Sequence, residues 1–228
     1  MSKEDMYKNK AHEYYSNIRW RIIDLIPEGS NRVLEVGCGT GSTLIKLKEL
    51  HKAQEIYGLE LNGEVVQEHI KDIDKVIIGD VEHIEPPFQE EFFDYIIFAD
   101  VLEHLVEPEE VLKKYMKYLK RDGGIIASIP NIKNYTVLFD LIVRDRFEYR
   151  DAGILDRSHL RFFTKKEIVN MFDRSGMYVK EMKSNLSFPM NIVDRMIINL
   201  ISTHRFPGYS FFTIQYIICA KKGSQTKI

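Results

Sequence analysis

Residues 32–41 read Arg-Val-Leu-Glu-Val-Gly-Cys-Gly-Thr-Gly. A short apolar run carries one acid, Glu35, and ends on three glycines at alternate positions, Gly37, Gly39 and Gly41, with Cys38 between the first two. A strand that stops at Val36 and turns sharply into the amphipathic stretch from Ser42 favours residues without a Cβ in the turn. Glycine reaches positive φ and lets a ligand lie against the backbone. The run reads as strand, ligand-binding turn and helix, although a plain strand-to-helix turn can carry the same glycines.

The rest of the chain repeats this rhythm. Strands are expected at 32–36, 55–60, 75–79, 93–99 and 124–129, with helices at 42–51, 63–71 and 108–120 between them. The strands are near-continuous apolar runs, as helices on both faces of a parallel sheet require. The fold class is therefore α/β, Rossmann-like and doubly wound. Upstream, Tyr14, Tyr15, Ile18, Ile22, Leu25 and Ile26 recur at helical spacing until Pro27, which predicts a helix over 5–26. After Pro130 the rhythm breaks into a possible helix at 134–144 and an Arg-rich stretch. It resumes with a capping box, Thr164-Lys-Lys-Glu, opening a helix that ends at Gly176. A strand at 177–183, a helix at 190–204 and a strand at 210–220 complete the reading.

Bulk properties exclude several classes. The chain has 228 residues, is 44% hydrophobic and carries a formal charge of −2, so nothing draws its whole surface to nucleic acid or anionic lipid. No apolar leader or membrane-length run is seen, and a cytoplasmic location is expected. Two cysteines, Cys38 and Cys219, support neither a disulfide framework nor a cysteine zinc site. The histidines and acids show no ligand-set spacing, so no metal is expected. Lys113, Lys114, Lys117, Lys120 and Arg121 read as the solvated face of a helix.

In an open α/β sheet, ligands bind beyond the carboxyl ends of the strands. Those positions hold Glu35 and the glycines, then Glu60, then Asp80, then Asp100 with Glu103 and His104. Glu60 lies about 20 residues past the glycines, where an acid accepts hydrogen bonds from ribose hydroxyls; an N-cap for the helix near Asn62 is the other reading. Asp80 suits an exocyclic amine with Val81 beside the ring, or is a loop aspartate. The third glycine comes one residue early for a pyrophosphate turn. Glu35 would repel phosphates and suit a ligand with an ammonium and a sulfonium. A nucleotide-cofactor oxidoreductase is thereby disfavoured.

Together, Val33-Leu-Glu-Val-Gly-Cys-Gly-Thr-Gly, Gly58-Leu-Glu-Leu-Asn, Gly79-Asp-Val-Glu, Phe93-Asp-Tyr-Ile-Ile-Phe-Ala-Asp-Val-Leu-Glu-His-Leu and Leu119-Lys-Arg-Asp-Gly-Gly resemble the ordered motifs of class I S-adenosylmethionine-dependent methyltransferases over residues 30–130. The likeness is to the branch that includes ubiquinone-biosynthesis and polysaccharide-associated enzymes, as is that of Leu155-Asp-Arg-Ser-His-Leu-Arg-Phe-Phe-Thr. The resemblance implies a cofactor, S-adenosyl-L-methionine, and a product, S-adenosyl-L-homocysteine. Glu35 and Gly37, Cys38, Gly39 and Gly41 would flank the methionine moiety, with Ala99 and Asp100 beside it. Glu60 and Leu61 would hold the ribose, and Asp80 and Val81 the adenine. Tyr15 and Arg19 would reach the cofactor carboxylate, unless they are a packing face and a surface arginine. It also implies a seventh, antiparallel strand next to the fifth, for which 210–220 is the candidate.

The expected organisation is one domain, 1–228: a helical cap over 1–29, a cofactor-binding core over 30–130, a lid insertion over 131–163, and the C-terminal sheet with its helical insertion over 164–228. The expected reaction is methyl transfer to a small-molecule or saccharide acceptor at oxygen. Such an acceptor must lose a proton, and His104 and His159 are the candidate bases; each is equally readable as a structural hydrogen-bond partner. Phe147, Tyr149, Phe162 and Phe163 either line a pocket for a ring or anchor the insertion. No nucleic-acid partner is expected, and the oligomeric state is open. A non-catalytic module that keeps the cofactor pocket is the remaining alternative.

Overall fold

The computed structural model describes residues 15–186 and 209–223. Seven strands form one sheet: β1 (Arg32–Val36), β2 (Glu55–Glu60), β3 (Lys75–Ile78), β4 (Phe93–Ala99), β5 (Leu119–Pro130), β6 (Met177–Leu186) and β7 (Thr213–Lys222). Their order is β3-β2-β1-β4-β5-β7-β6. The first five pair in parallel, and β7 runs antiparallel between β5 and β6, with Ile126 opposite Cys219 and Pro130 opposite Gln215. The antiparallel strand thus stands beside the fifth.

Alternation along each strand divides the core into two layers. Leu34, Ile96 and Ile125 point to one face, which α3 (Pro108–Met116) and α5 (Lys165–Arg174) cover with Leu112, Tyr115 and Phe172. Val33, Ile97 and Ile126 point to the other, beneath α1 (Trp20–Ile23) and α2 (Ser42–Glu49) with Ile22, Leu44 and Leu47. With both faces covered, the central strands β1, β2 and β4 have almost no solvent side to keep polar. Helix α4 (Tyr135–Val143) starts on Asn134, whose side chain accepts from the Thr136 N–H, and α5 on Thr164, which does the same for Glu167. Helix α6 (Tyr209–Phe212) leads into β7.

Several expected elements differ. The helix over 63–71 is only a 3₁₀ turn, Val65–Glu68, in which adjacent β-branched residues disfavour a regular helix and Val66 is pinned in the core. The N-terminal helix is broken at residues 17–19, where the Arg19 N–H donates to Thr43 Oγ1 and its guanidinium pairs with Asp100; residues 1–14 of that expectation lie outside the described residues. The helix over 108–120 stops at Met116, and β5 starts at Leu119, so Lys120 and Arg121 belong to a strand. β6 extends three residues further than expected, to Leu186, and β7 begins at Thr213, after α6. The expected helix over 190–204 lies outside the described residues. The insertion is tied at its base, where Asn131 bridges Phe163 and its amide donates to the carbonyls of Ser210 and Thr213. Among the described residues, no helix is long and apolar enough to cross a membrane.

Candidate functional site

Strands β2 and β3 lie to one side of β1 and β4 to the other, so the β1/β4 boundary is the switch point where the following loops diverge and leave a crevice. A solvent-open cleft, about 900 Å³ when the solvent at its mouth is included, occupies that place. Of the residues expected from sequence, Tyr15, Arg19, Glu35, Gly37, Cys38, Gly39, Glu60, Leu61, Asp80, Val81, Ala99, Asp100 and His104 line it, and Gly41 and His159 do not.

The three glycines take the positive φ expected of the turn, 69°, 54° and 85°, and a second reason for them is steric. A Cβ on Gly39 would lie 2.4 Å from the Tyr15 carbonyl oxygen, and one on Gly41 2.4 Å from Ile73 Cδ1. The missing side chains make room for the protein itself: Tyr15 approaches closely enough for its carbonyl to accept from Thr40 N–H at 3.2 Å. Gly41 caps α2 from a left-handed conformation, φ 85°, which explains why it lies behind the cleft wall. Cys38 packs against Gly58, where a Cβ would meet its sulfur at 2.7 Å. Burial holds its thiol well above the usual range, so it is a space-filling residue and no nucleophile.

The two carboxylates at the floor differ. Both Glu60 oxygens are engaged by backbone, accepting from Gly39 N–H at 2.8 Å and Asn62 N–H at 3.0 Å. Each retains a second lone pair, so this acid braces the turn while still able to accept from a ligand. Glu35 is fully buried, and its Oε2 has no partner. Burial lifts its carboxyl to about 8, against the pull of Arg19 and with the help of Glu60. A buried oxygen facing a cleft without a partner is costly in the free protein and is the mark of a place kept for a donor.

Asp100 sits at φ 56°, left-handed for a residue with a side chain. Four contacts hold it there: its N–H donates to Ser128 Oγ at 3.0 Å, its Oδ1 accepts from Ser128 Oγ at 2.8 Å and from Gln215 Nε2, and its Oδ2 pairs with Arg19 at 2.7 Å. Asp80 accepts from Glu82 N–H at 2.9 Å, and Lys114 fixes the loop behind it by donating to the carbonyls of Val81, Glu82 and Ile84. Lys114 is therefore a clamp, contrary to its reading as part of a solvated face. Glu60, Asp80 and Asp100 against the single Arg19 leave the cleft electrically suited to a cation, which would also draw the proton from Glu35.

The sequence model of the family described as Methionine biosynthesis protein MetW matches residues 18–202. The chain belongs to the MetW family. This MetW-family chain is also similar to demethylmenaquinone methyltransferase of Thermotoga maritima, 28% identical over 193 residues that cover 75% of the chain and 82% of the relative. A SAM-dependent methyltransferase from Archaeoglobus fulgidus superposes with a TM-score of 0.61 at 18% identity, over 92% of this chain and 97% of that one. A SAM-dependent methyltransferase from Thermotoga maritima does so with a TM-score of 0.61 at 20%, over 92% and 90%. The fold is that of the class I S-adenosylmethionine-dependent methyltransferases, as the motifs imply.

At the far end of the cleft, the MetW-family chain folds its insertion back onto the turn Leu102–His104. Glu103 accepts on its carbonyl from the N–H groups of Leu160 and Arg161, at 2.9 and 3.0 Å, and His104 Nδ1 meets the Ser158 carbonyl at 3.0 Å. The rings of His104 and His159 stand edge to face, 4.7 Å between centroids. Burial, reinforced by His159, holds the His104 imidazole down at about 4, so it is neutral. His159 stands behind the cleft wall, with the Phe162 ring edge to face at 6.3 Å between centroids. Sequence reasoning missed Lys114, Ser128 and Gln215; it named Glu103 as a strand-end acid without selecting it. Gln215 left no signal at all, because only the antiparallel β7 carries it to Asp100, 115 positions away.

Proposed function

We propose that the chain is an S-adenosylmethionine-dependent methyltransferase that methylates an oxygen of a small-molecule or saccharide acceptor. The observation that carries the cofactor assignment is the unpartnered, buried Glu35 Oε2 in a cleft rich in carboxylates. An ammonium donor fits it, and a pyrophosphate does not. Glu35 and Asp100 would hold the methionine portion, Glu60 the ribose hydroxyls, and Asp80 with Val81 the adenine. The cofactor supplies a sulfonium methyl group, whose in-line displacement is governed chiefly by how the reactants are held. The protein's part is to bind, align and exclude water. Glu103, His104 and His159 stand together where the insertion meets the cleft, and are the groups placed to hold an acceptor oxygen and ease loss of its proton. The relatives' methyltransferase names support the reaction class.

The test is to incubate the protein with methyl-labelled S-adenosylmethionine and a panel of hydroxylated metabolites and sugars, and to read label by mass spectrometry. Label on an acceptor oxygen is the expected result. Cofactor binding with label found only on nitrogen or carbon acceptors would overturn the oxygen assignment, and no cofactor binding at millimolar concentration would overturn the whole reading.

A further inference from the structure

The turn Leu102–His104 and the insertion bring three ligating side chains together below the surface. Glu103, His104 and His159 each offer an atom within 4.8 Å of the other two, and all three are buried. His159 Nε2 is 3.9 Å from Glu103 Oε1. Ligands at about 2.1 Å from one ion stand roughly 3 to 4 Å apart, so the most widely spaced of these groups would need to close by roughly 1 to 2 Å. Neither carboxylate oxygen of Glu103 has a hydrogen-bond partner, although its side chain is 1% exposed. Leaving both oxygens of a buried acid without a donor costs several kcal/mol if nothing binds there.

The histidines are oriented in the way metal ligands are. Nδ1 of His104 lies 3.0 Å from the Ser158 carbonyl, and Nδ1 of His159 lies 2.9 Å from the Ile154 carbonyl. A carbonyl only accepts, so each Nδ1 carries the proton and each lone pair is on Nε2, which is how backbone carbonyls fix ligating histidines. The insertion is itself braced: Asp156 Oδ1 accepts from the N–H and hydroxyl of Ser158, which sets the Ser158 carbonyl against His104.

We propose that Glu103, His104 and His159 form a binding site for a divalent transition cation, held by one carboxylate and two imidazole Nε2 atoms at the inner end of the cleft. The nitrogen-rich set favours manganese, iron, cobalt or zinc over calcium or magnesium, which take oxygen ligands. Three protein ligands leave positions open, and His104 is part of the cleft wall, so the cation stands where an acceptor hydroxyl can complete its coordination. The two histidines are then ligands and not the expected bases, and the acceptor class narrows to one that presents a hydroxyl to a cation. This inference rests on the proposed function only for its consequence, not for the site.

Cobalt(II) is the probe, added to the full-length, chelator-treated protein without cofactor. Binding of about one cobalt per chain with ligand-field bands in the visible is expected, together with two strongly shifted, exchangeable imidazole N–H proton resonances, one for each Nδ1–H. Glu103→Gln and His159→Gln should each weaken binding at least tenfold while S-adenosylhomocysteine affinity stays within about threefold. Should a variant fail to fold, the two shifted N–H resonances of the wild-type protein decide alone. Absence of ligand-field bands at millimolar cobalt, or bands undiminished in both folded variants, overturns the site. Cobalt bound by a protein that ignores S-adenosylmethionine would overturn the methyltransferase reading and leave the site standing. Methyl transfer indifferent to chelators, without cobalt bands, would do the reverse.

Discussion

Glu35 and Glu60 are both buried acids at the ends of neighbouring strands, yet one has a vacant oxygen and the other is held by two backbone N–H groups. Replacing them should therefore give opposite effects on the free protein. Glu35→Gln removes a charge that the fold cannot solvate, so at about pH 8.5 it should raise stability in urea by about 1 kcal/mol or more, while S-adenosylmethionine affinity falls. A variant that loses both, or neither, would contradict the role given to that oxygen. Glu60→Ala orphans Gly39 N–H and Asn62 N–H, and should weaken cofactor binding by about 1–3 kcal/mol; unchanged affinity by calorimetry would count against ribose contact. The sequence made both acids legible because strand ends follow from hydrophobic pattern. It left their difference hidden, because the N–H groups that Glu60 meets come from 21 positions back and from the turn just ahead.

At the scale of elements, the glycine turn and the loop after β3 shape the cleft. Gly39→Ala would put a methyl group 2.4 Å from the Tyr15 carbonyl and force a side chain to φ 54°. The left-handed backbone alone costs about 1–2 kcal/mol, and the clash detaches the Tyr15 segment from Thr40, so a lowered melting temperature and lost cofactor binding are expected together. Lys114→Met frees three carbonyls in the loop at 81–84. Faster amide exchange in residues 80–84 and weaker cofactor binding should follow, with little change in the sheet. The strands were legible as elements because burial on both faces demands unbroken apolar runs. The helix over 63–71 and the reach of the helix over 108–120 were misread, since β-branched residues and the lysine pattern fit two structures, and tertiary contacts chose between them.

For the whole molecule, the raised Glu35 carboxyl couples folding to pH and to ligand. Between its usual 4.5 and about 8, the folded chain keeps a proton that the unfolded chain has released, so this group's contribution to stability falls as pH rises through that window. The urea midpoint of the cofactor-free protein should decline from about pH 6 to 8.5, and Glu35→Gln should flatten the decline. A cationic ligand favours the carboxylate, so binding near pH 7 should release a proton; calorimetry in two buffers of different ionisation enthalpy would show it, and equal heats would refute it. By itself, the sequence determined the class of fold, the edge of the sheet that bears the site and most residues lining it. Apolar periodicity and glycine placement are local, and strand ends follow from them. Only the tertiary structure decided which of those acids is left without a partner, that Gln215 steadies Asp100, and that the insertion sets His159 against His104 and Glu103. Those facts depend on contacts between segments far apart in the chain, whose energies no local pattern encodes.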